Sequence, residues 1–166
     1  MTPREAPVPS SPEPRFACDA MLGGLARWLR AAGYDASWHG GIADPELVRL
    51  AHAEGRTVLS SDGDIFEFAL VRDGVVPALF VPRGLSVQAQ LAHVLCGLGL
   101  PLREPRCMAC GGELAELARE EASGRVPPRS LACHDRFWRC VRCGKAFWHG
   151  THWEKIVERL RQSAER

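Results

Sequence analysis

The chain has 166 residues, room for one full domain and a small appendage, and its 46% hydrophobic and 25% charged residues are the composition of a globular fold. The net charge of +1 hides a split: residues 1–105 hold nine Arg, no Lys and twelve acids, while residues 106–166 hold twelve Lys and Arg against eight acids. No basic-then-apolar signal pattern opens the chain and no apolar run reaches the roughly 18–20 residues of a membrane span, so a cytoplasmic location is expected.

Residues 1–14 hold five Pro and two Ser with no hydrophobic period, and read as a disordered leader. Phe16–Cys18 is a short apolar strand that ends on Asp19. Leu22, Leu25, Ala26, Leu29 and Ala32 then recur at helical spacing until Gly33. Asp35–Trp38 reads as a second strand, and Asp44-Pro45-Glu46 opens a second helix that ends near Gly55. Thr57–Ser60 is a third strand, closed by Ser61-Asp62-Gly63-Asp64. A helix over Ile65–Leu70, a strand over Val75–Val81 and a helix over Ser86–Leu98 continue the alternation. Strands alternating with helices specify an α/β fold with a mostly parallel sheet covered on both faces. Near Pro101 the alternation stops, which separates residues 15–104 from a Cys-, Gly- and Trp-rich module over residues 105–166. Trp153–Gln162 closes that module as an amphipathic helix, with Ile156, Val157 and Leu160 on one face.

Ligands of an open parallel sheet bind beyond the C-terminal ends of its strands. Asp19 stands there after the first strand, Asp44 and Glu46 after the second, and Asp62 and Asp64 after the third. Converging carboxylates repel one another unless a cation lies between them, and hard oxygen donors select Mg²⁺ or Mn²⁺. Such ions can hold a phosphodiester and lower the pKa of a water. Helix capping explains each acid taken singly, Asp44-Pro45 above all, because Asp is a favoured N-cap and Pro a favoured first-turn residue. Ser60 is placed to hydrogen-bond a metal water or a phosphate. Arg27 and Arg30 are placed to meet a phosphate from the first helix, or else lie on a solvated face.

Cys107-Met-Ala-Cys110-Gly and Cys140-Val-Arg-Cys143-Gly are two C-x-x-C-G knuckles with 29 residues between Cys110 and Cys140. Four thiolates from two turns suit a structural, tetrahedral Zn²⁺, whose binding energy is part of the module's folding energy. An odd total of seven cysteines in this pattern fits zinc in a reducing compartment and not a disulfide framework. The surrounding Phe137-Trp138-Arg139 and Phe147–Trp153 segments are rich in aromatics. Those rings can stack on unpaired bases with Arg139 holding a phosphate, or form the mini-core that a small zinc module needs.

Taken together, DAMLGGLARWLRAAGYDA, DPELVRLAHAEGRTVLSSDGDI, CMACGGEL, VPPR and FWRCVRCGKAFWHGTHWEKI resemble the PIN-like RNase family named for the C-terminal domain of the Mut-seven exonuclease. The resemblance covers about residues 15–160. It implies a PIN-like three-layer α/β/α nuclease domain, a C-terminal zinc ribbon and metal-dependent cleavage of RNA, with the ribbon positioning single-stranded RNA. By position it implies Asp19, Asp44 or Glu46, Asp62 and Asp64 as the nuclease acids, with Ser60 before Asp62, and Cys107, Cys110, Cys140 and Cys143 as zinc ligands. The chain departs from the pattern at Gly24, where such sequences usually have Lys, and at Ser61, where a basic residue often precedes the third acid. Those departures keep open a second expectation, a non-catalytic adaptor that binds RNA or protein.

Overall fold

Parallel strands from three short apolar runs set the frame of the first unit. The computed structural model describes residues 13–165, so the leader expected over residues 1–14 lies outside the described residues apart from its last two positions. Strand β1 (Arg15–Cys18) sits between β2 (Asp35–Trp38) and β3 (Thr57–Ser60), and β4 (Ala78–Phe80) pairs on the far side of β3. All three pairings are parallel. The chain therefore leaves β1 toward one edge and later returns to β3 on its other side. The gap beyond β1 and β3 is the switch point where such sheets bind ligands.

Side-chain alternation divides the core. Phe16, Cys18 and Leu59 face helices α1 (Gly23–Ala31) and α4 (Val87–Gly97), whose Leu25, Leu29, Leu91 and Leu95 are buried against them. Ala17 and Val58 face the other way, against Leu47, Val48 and Ala51 of α2 (Asp44–Glu54). Helices thus cover both faces. The single helix expected over Ile65–Leu70 is instead a 3₁₀ turn at Gly63–Glu67, an extended Phe68, and a short α3 (Ala69–Arg72). Ile65, Phe66, Phe68, Leu70 and Val71 all reach the second core cluster, more side chains in succession than one straight helix can turn to one side. Strand β4 is shorter than the expected Val75–Val81 because Pro77 has no N–H to donate.

The second module is more regular than its sequence shows. It holds an antiparallel sheet of β5 (Leu114–Leu117), β6 (Phe137–Cys140) and β7 (Ala146–Trp148). Between the knuckles lie two short helices, α5 (Arg119–Ala122) and α6 (Pro128–Cys133). Leu117, Ala122, Val126 and Phe137 form its small core, with Trp148 packed on it. The closing helix α7 runs over Thr151–Ala164, longer than expected. It leaves the ribbon and returns to the first unit, where Ile156 and Leu160 join the cluster of Phe16, Leu25 and Leu91.

Candidate active site and metal centre

Asp19 is anchored across the sheet. Its Oδ2 accepts from the Ser60 hydroxyl at 2.6 Å and from the Ser61 amide at 3.2 Å, and its Oδ1 accepts from the Met21 amide at 2.9 Å. It does not cap α1, whose first turn has no side-chain cap. Ser60 is fully buried and its hydroxyl also accepts from the Asp62 amide at 2.9 Å. It therefore joins Asp19 to the loop after β3 and positions both acids, with no surface left for a phosphate. Asp62 Oδ1 caps the 3₁₀ turn by accepting from the Asp64 amide at 3.1 Å.

Asp44 is not the N-cap that its Asp-Pro context suggests. Ala43 holds that position without a side-chain bond, and Asp44 begins the helix proper. Its carboxylate is thus left for other work. Burial pushes the Asp44 carboxyl above the ordinary value, and the charges of Asp62, Asp19 and Asp64 push it the same way. Asp19, Asp44 and Asp62 line one cavity of about 290 Å³ at the switch point, together with Arg83 and Gln90. Glu46 and Asp64 are exposed and do not line it. Arg83, from the loop after β4, donates to the Ser61 carbonyl at 2.9 Å. Nothing in its sequence context marks Arg83, because only the sheet order brings that loop to the acids.

The four knuckle cysteines meet as their spacing predicts, with all four Sγ atoms within 4.8 Å of one another. Cys107 and Cys143 are 3.7 Å apart and Cys110 and Cys140 3.5 Å apart, against about 3.8 Å along the edge of a ZnS₄ tetrahedron with ordinary bonds. The four cysteines can hold a zinc ion. Gly111 and Gly144 turn the knuckles at φ of 80° and 76°, a conformation that favours glycine. The amide that reaches Cys110 sulfur is that of Gly112, at 3.4 Å, because the Gly111 amide bonds the Cys107 carbonyl. Burial opposes ionisation of Cys140, but the amides of Cys143 and Arg142 outweigh it and bring the thiol down to about 7.

The expected phosphate-facing arginines separate. Arg27 is exposed and lines a second, larger cavity between α1 and the ribbon. Arg30 is buried and turned to the zinc module, donating to the carbonyls of Ala36 at 2.8 Å and of Met108 and Ala109 at 3.0 Å each. It braces the first knuckle, and although it lines part of the same larger cavity its donors are taken by these three carbonyls. Arg139 is exposed on β6 and lines neither cavity. Asp35, unremarked in the sequence, is buried beside Arg56 at 3.2 Å and Arg15 at 3.3 Å, with Arg142 of the second knuckle at 3.9 Å.

A family model described as the Mut7-C RNAse domain matches residues 14–160. The chain belongs to the Mut7-C RNAse domain family. Among curated proteins, the human "Exonuclease mut-7 homolog" is 36% identical over 101 residues, 58% of this chain but 11% of that protein's length. The chain thus spans only a small part of that relative. No solved structure matches.

Family membership raises the question of whether this Mut7-C chain can hold a catalytic divalent cation. Among the described residues, the cysteine quartet is the one group of three or more Cys, His, Asp or Glu side chains gathered tightly enough to share an ion. The acids are looser. They still fit Mg²⁺, which keeps several waters and needs only one or two carboxylates from the protein. Asp44 and the outer oxygen of Asp62 have no hydrogen-bond donor among the described residues, and Asp19 retains lone pairs beyond those its three donors occupy. No helix among the described residues is long and apolar enough to cross a membrane.

Proposed function

We propose that this chain is a metal-dependent ribonuclease: a PIN-like nuclease unit over residues 15–104 joined to a zinc ribbon over residues 105–166, acting in the reducing cytoplasm. The observation that carries the reading is the shared cavity of Asp19, Asp44 and Asp62 at the β1/β3 switch point. Family membership supports RNA as the polymer. Asp19, Asp44 and Asp62 would hold Mg²⁺ or Mn²⁺, and such an ion supplies charge neutralisation at the phosphodiester and a more acidic water.

The chain's own residues supply placement. Ser60 fixes Asp19 and the Asp62 loop in one geometry, so two ligands from different strands move as one body. The Asp44 carboxyl is raised first by burial and then by the charges of Asp62, Asp19 and Asp64, and a bound cation would relieve that repulsion. Arg83, beside Asp62 and Ser61, offers a positive charge for a phosphate oxygen. It stands in part for the cations absent at Gly24 and Ser61. At Gly24, a Cβ would lie 3.1 Å from Val87 of α4, so that helix contact favours the smaller residue.

The test is cleavage of labelled single-stranded RNA by the purified, zinc-loaded chain with Mg²⁺ or Mn²⁺. Asp19→Asn and Asp62→Asn should each slow cleavage at least about 100-fold, the scale of losing one preorganised electrostatic group. Cleavage by Asp19→Asn at the wild-type rate overturns the assignment. The looser gathering of the acids favours one alternative, an adaptor that binds RNA or protein without cleaving. RNA binding without cleavage under either metal selects it.

A further inference from the structure

We propose that the larger cavity, between α1 and the ribbon, seats one unpaired nucleotide of the RNA, its base among tryptophans and its phosphate at Arg27 and Lys145. The proposal deepens the nuclease reading and rests on it for the identity of the polymer. The cavity measures about 530 Å³, within the range of small-ligand sites. Trp38 lines it from the sheet, and Trp138, Trp148 and Trp153 line it from the ribbon and α7. Trp138, His149 and Trp153 already form a three-ring stack, with centroids 4.2 Å and 5.0 Å apart and ring planes 24° and 10° from parallel. Rings held in register offer flat area to a base at little entropic cost.

Charge decides between a base-bearing anion and a neutral apolar guest. No Asp or Glu lines the cavity, whereas Arg27, Arg30, Arg106 and Lys145 do, Arg30 with its donors already given to carbonyls. Arg106 is bonded to the Gly111 carbonyl at 2.7 Å, but among the described residues neither Arg27 nor Lys145 makes an ion pair or a side-chain hydrogen bond. Duplexes keep their bases stacked inward, so aromatic walls of this kind select single strands. The cavity also adjoins the acids. The Trp38 indole donates to the Ala20 carbonyl at 3.0 Å, and Ala20 lines the acidic cavity. Gly23 lines the larger one, four residues after Asp19, and four residues span at most about 14 Å. A strand that lays a base against Trp38 therefore brings a neighbouring phosphodiester to the acids.

Four of the five tryptophans line this cavity, so their emission reports occupancy. The experiment titrates zinc-loaded full chain with a short single-stranded RNA, and with a duplex of equal length, in buffer free of Mg²⁺ and Mn²⁺. Single-stranded RNA should quench saturably and the duplex should not. Trp38→Ala should weaken binding about 5- to 150-fold, the range of one lost base stack, and Trp38→Phe should restore most of it. Arg27→Glu with Lys145→Glu should weaken binding at least tenfold and flatten the log–log salt slope by about 1.4. Arg159→Glu, on α7 but lining neither this cavity nor the acidic one, is the control that should change nothing. Zinc content and circular dichroism verify folding; if Trp38→Ala fails them, the charge reversals decide. Affinities within twofold of wild type in folded variants, or a duplex bound as tightly, overturn the proposal. Cleavage with unaltered binding in these variants overturns this inference and leaves the nuclease reading. Cavity-dependent binding with no cleavage under any divalent cation does the reverse.

Discussion

At the scale of single residues, two buried polar groups order their surroundings, Ser60 among the acids and Asp35 among three arginines. Ser60 satisfies Asp19 on one side and the Asp62 amide on the other. Ser60→Ala leaves both without that partner, which should cost about 1–3 kcal/mol in urea unfolding and lower kcat for RNA more than KM. A loss confined to stability would mean that the acids do not depend on Ser60 for their placement. Asp35 is the second case. Burial alone would raise its carboxyl, yet the hydrogen bonds and charges of Arg56, Arg15 and Arg142 hold it below the ordinary value. A carboxyl depressed in the folded state contributes stability that is present above its unfolded pKa, about 3.9, and is lost as pH falls through the lower folded value. Asp35→Ala leaves the buried Arg56 with Glu54 as its remaining carboxylate partner and should cost about 1–3 kcal/mol at neutral pH. That cost should shrink below about pH 4, measured by urea unfolding across the acid range.

Among the elements, legibility followed the range of the forces involved. Thr57–Ser60 and Asp35–Trp38 stand where their sequence places them, because each is a short β-forming run bounded by turn residues. The acids at the strand ends were readable for the same reason, since a strand handing over to a helix fixes them locally. Their convergence on that edge was expected, but which of them share a cavity was not, because that depends on β3 lying beside β1, an order set by packing. Arg30 shows the same limit: its place on an amphipathic helix is local, but the knuckle that takes up its donors lies far along the chain. Strands β5 and β6 pair across the long inter-knuckle loop and β7 returns from the second knuckle, with no β-α alternation to mark any of them in the sequence. The knuckles were legible because thiolate spacing is itself the signal. Their state can be read by thiol alkylation and mass spectrometry. Cys96 and Cys133 are exposed and should react first in zinc-loaded protein. Cys107, Cys110, Cys140 and Cys143 should follow only after chelation. Cys18 is fully buried, its thiol pushed up to about 12 by that burial, and should react only on unfolding. Rapid alkylation of the quartet before chelation would show that it holds no metal.

Across the whole molecule, the cysteine module and the sheet unit are tied at three places and should not unfold separately. Arg30 donates from α1 to both carbonyls between the first pair of cysteines. Arg142 of the second knuckle lies 3.9 Å from Asp35 at the start of β2 and donates to the Cys110 carbonyl at 2.9 Å. Helix α7 carries Ile156 and Leu160 from the ribbon back to the core that Phe16 and Leu91 share. A zinc held by the quartet would contribute folding energy to whatever packs on its ligands, so its removal would act on the sheet through these ties. Chelation should therefore lower one shared thermal transition, seen alike by amide exchange in β5 and β6 and by amide exchange in β1 and β3. Leu160→Ala should add about 2–5 kcal/mol of destabilisation to both probes in the zinc-loaded chain. Sheet amides that keep full protection after zinc is withdrawn would make the two parts independent. In that event the ribbon could not hold Trp138 and Trp153 in fixed relation to the acids. Coincident loss in both probes would mean that one cooperative body holds the aromatic cavity beside the carboxylates of Asp19, Asp44 and Asp62.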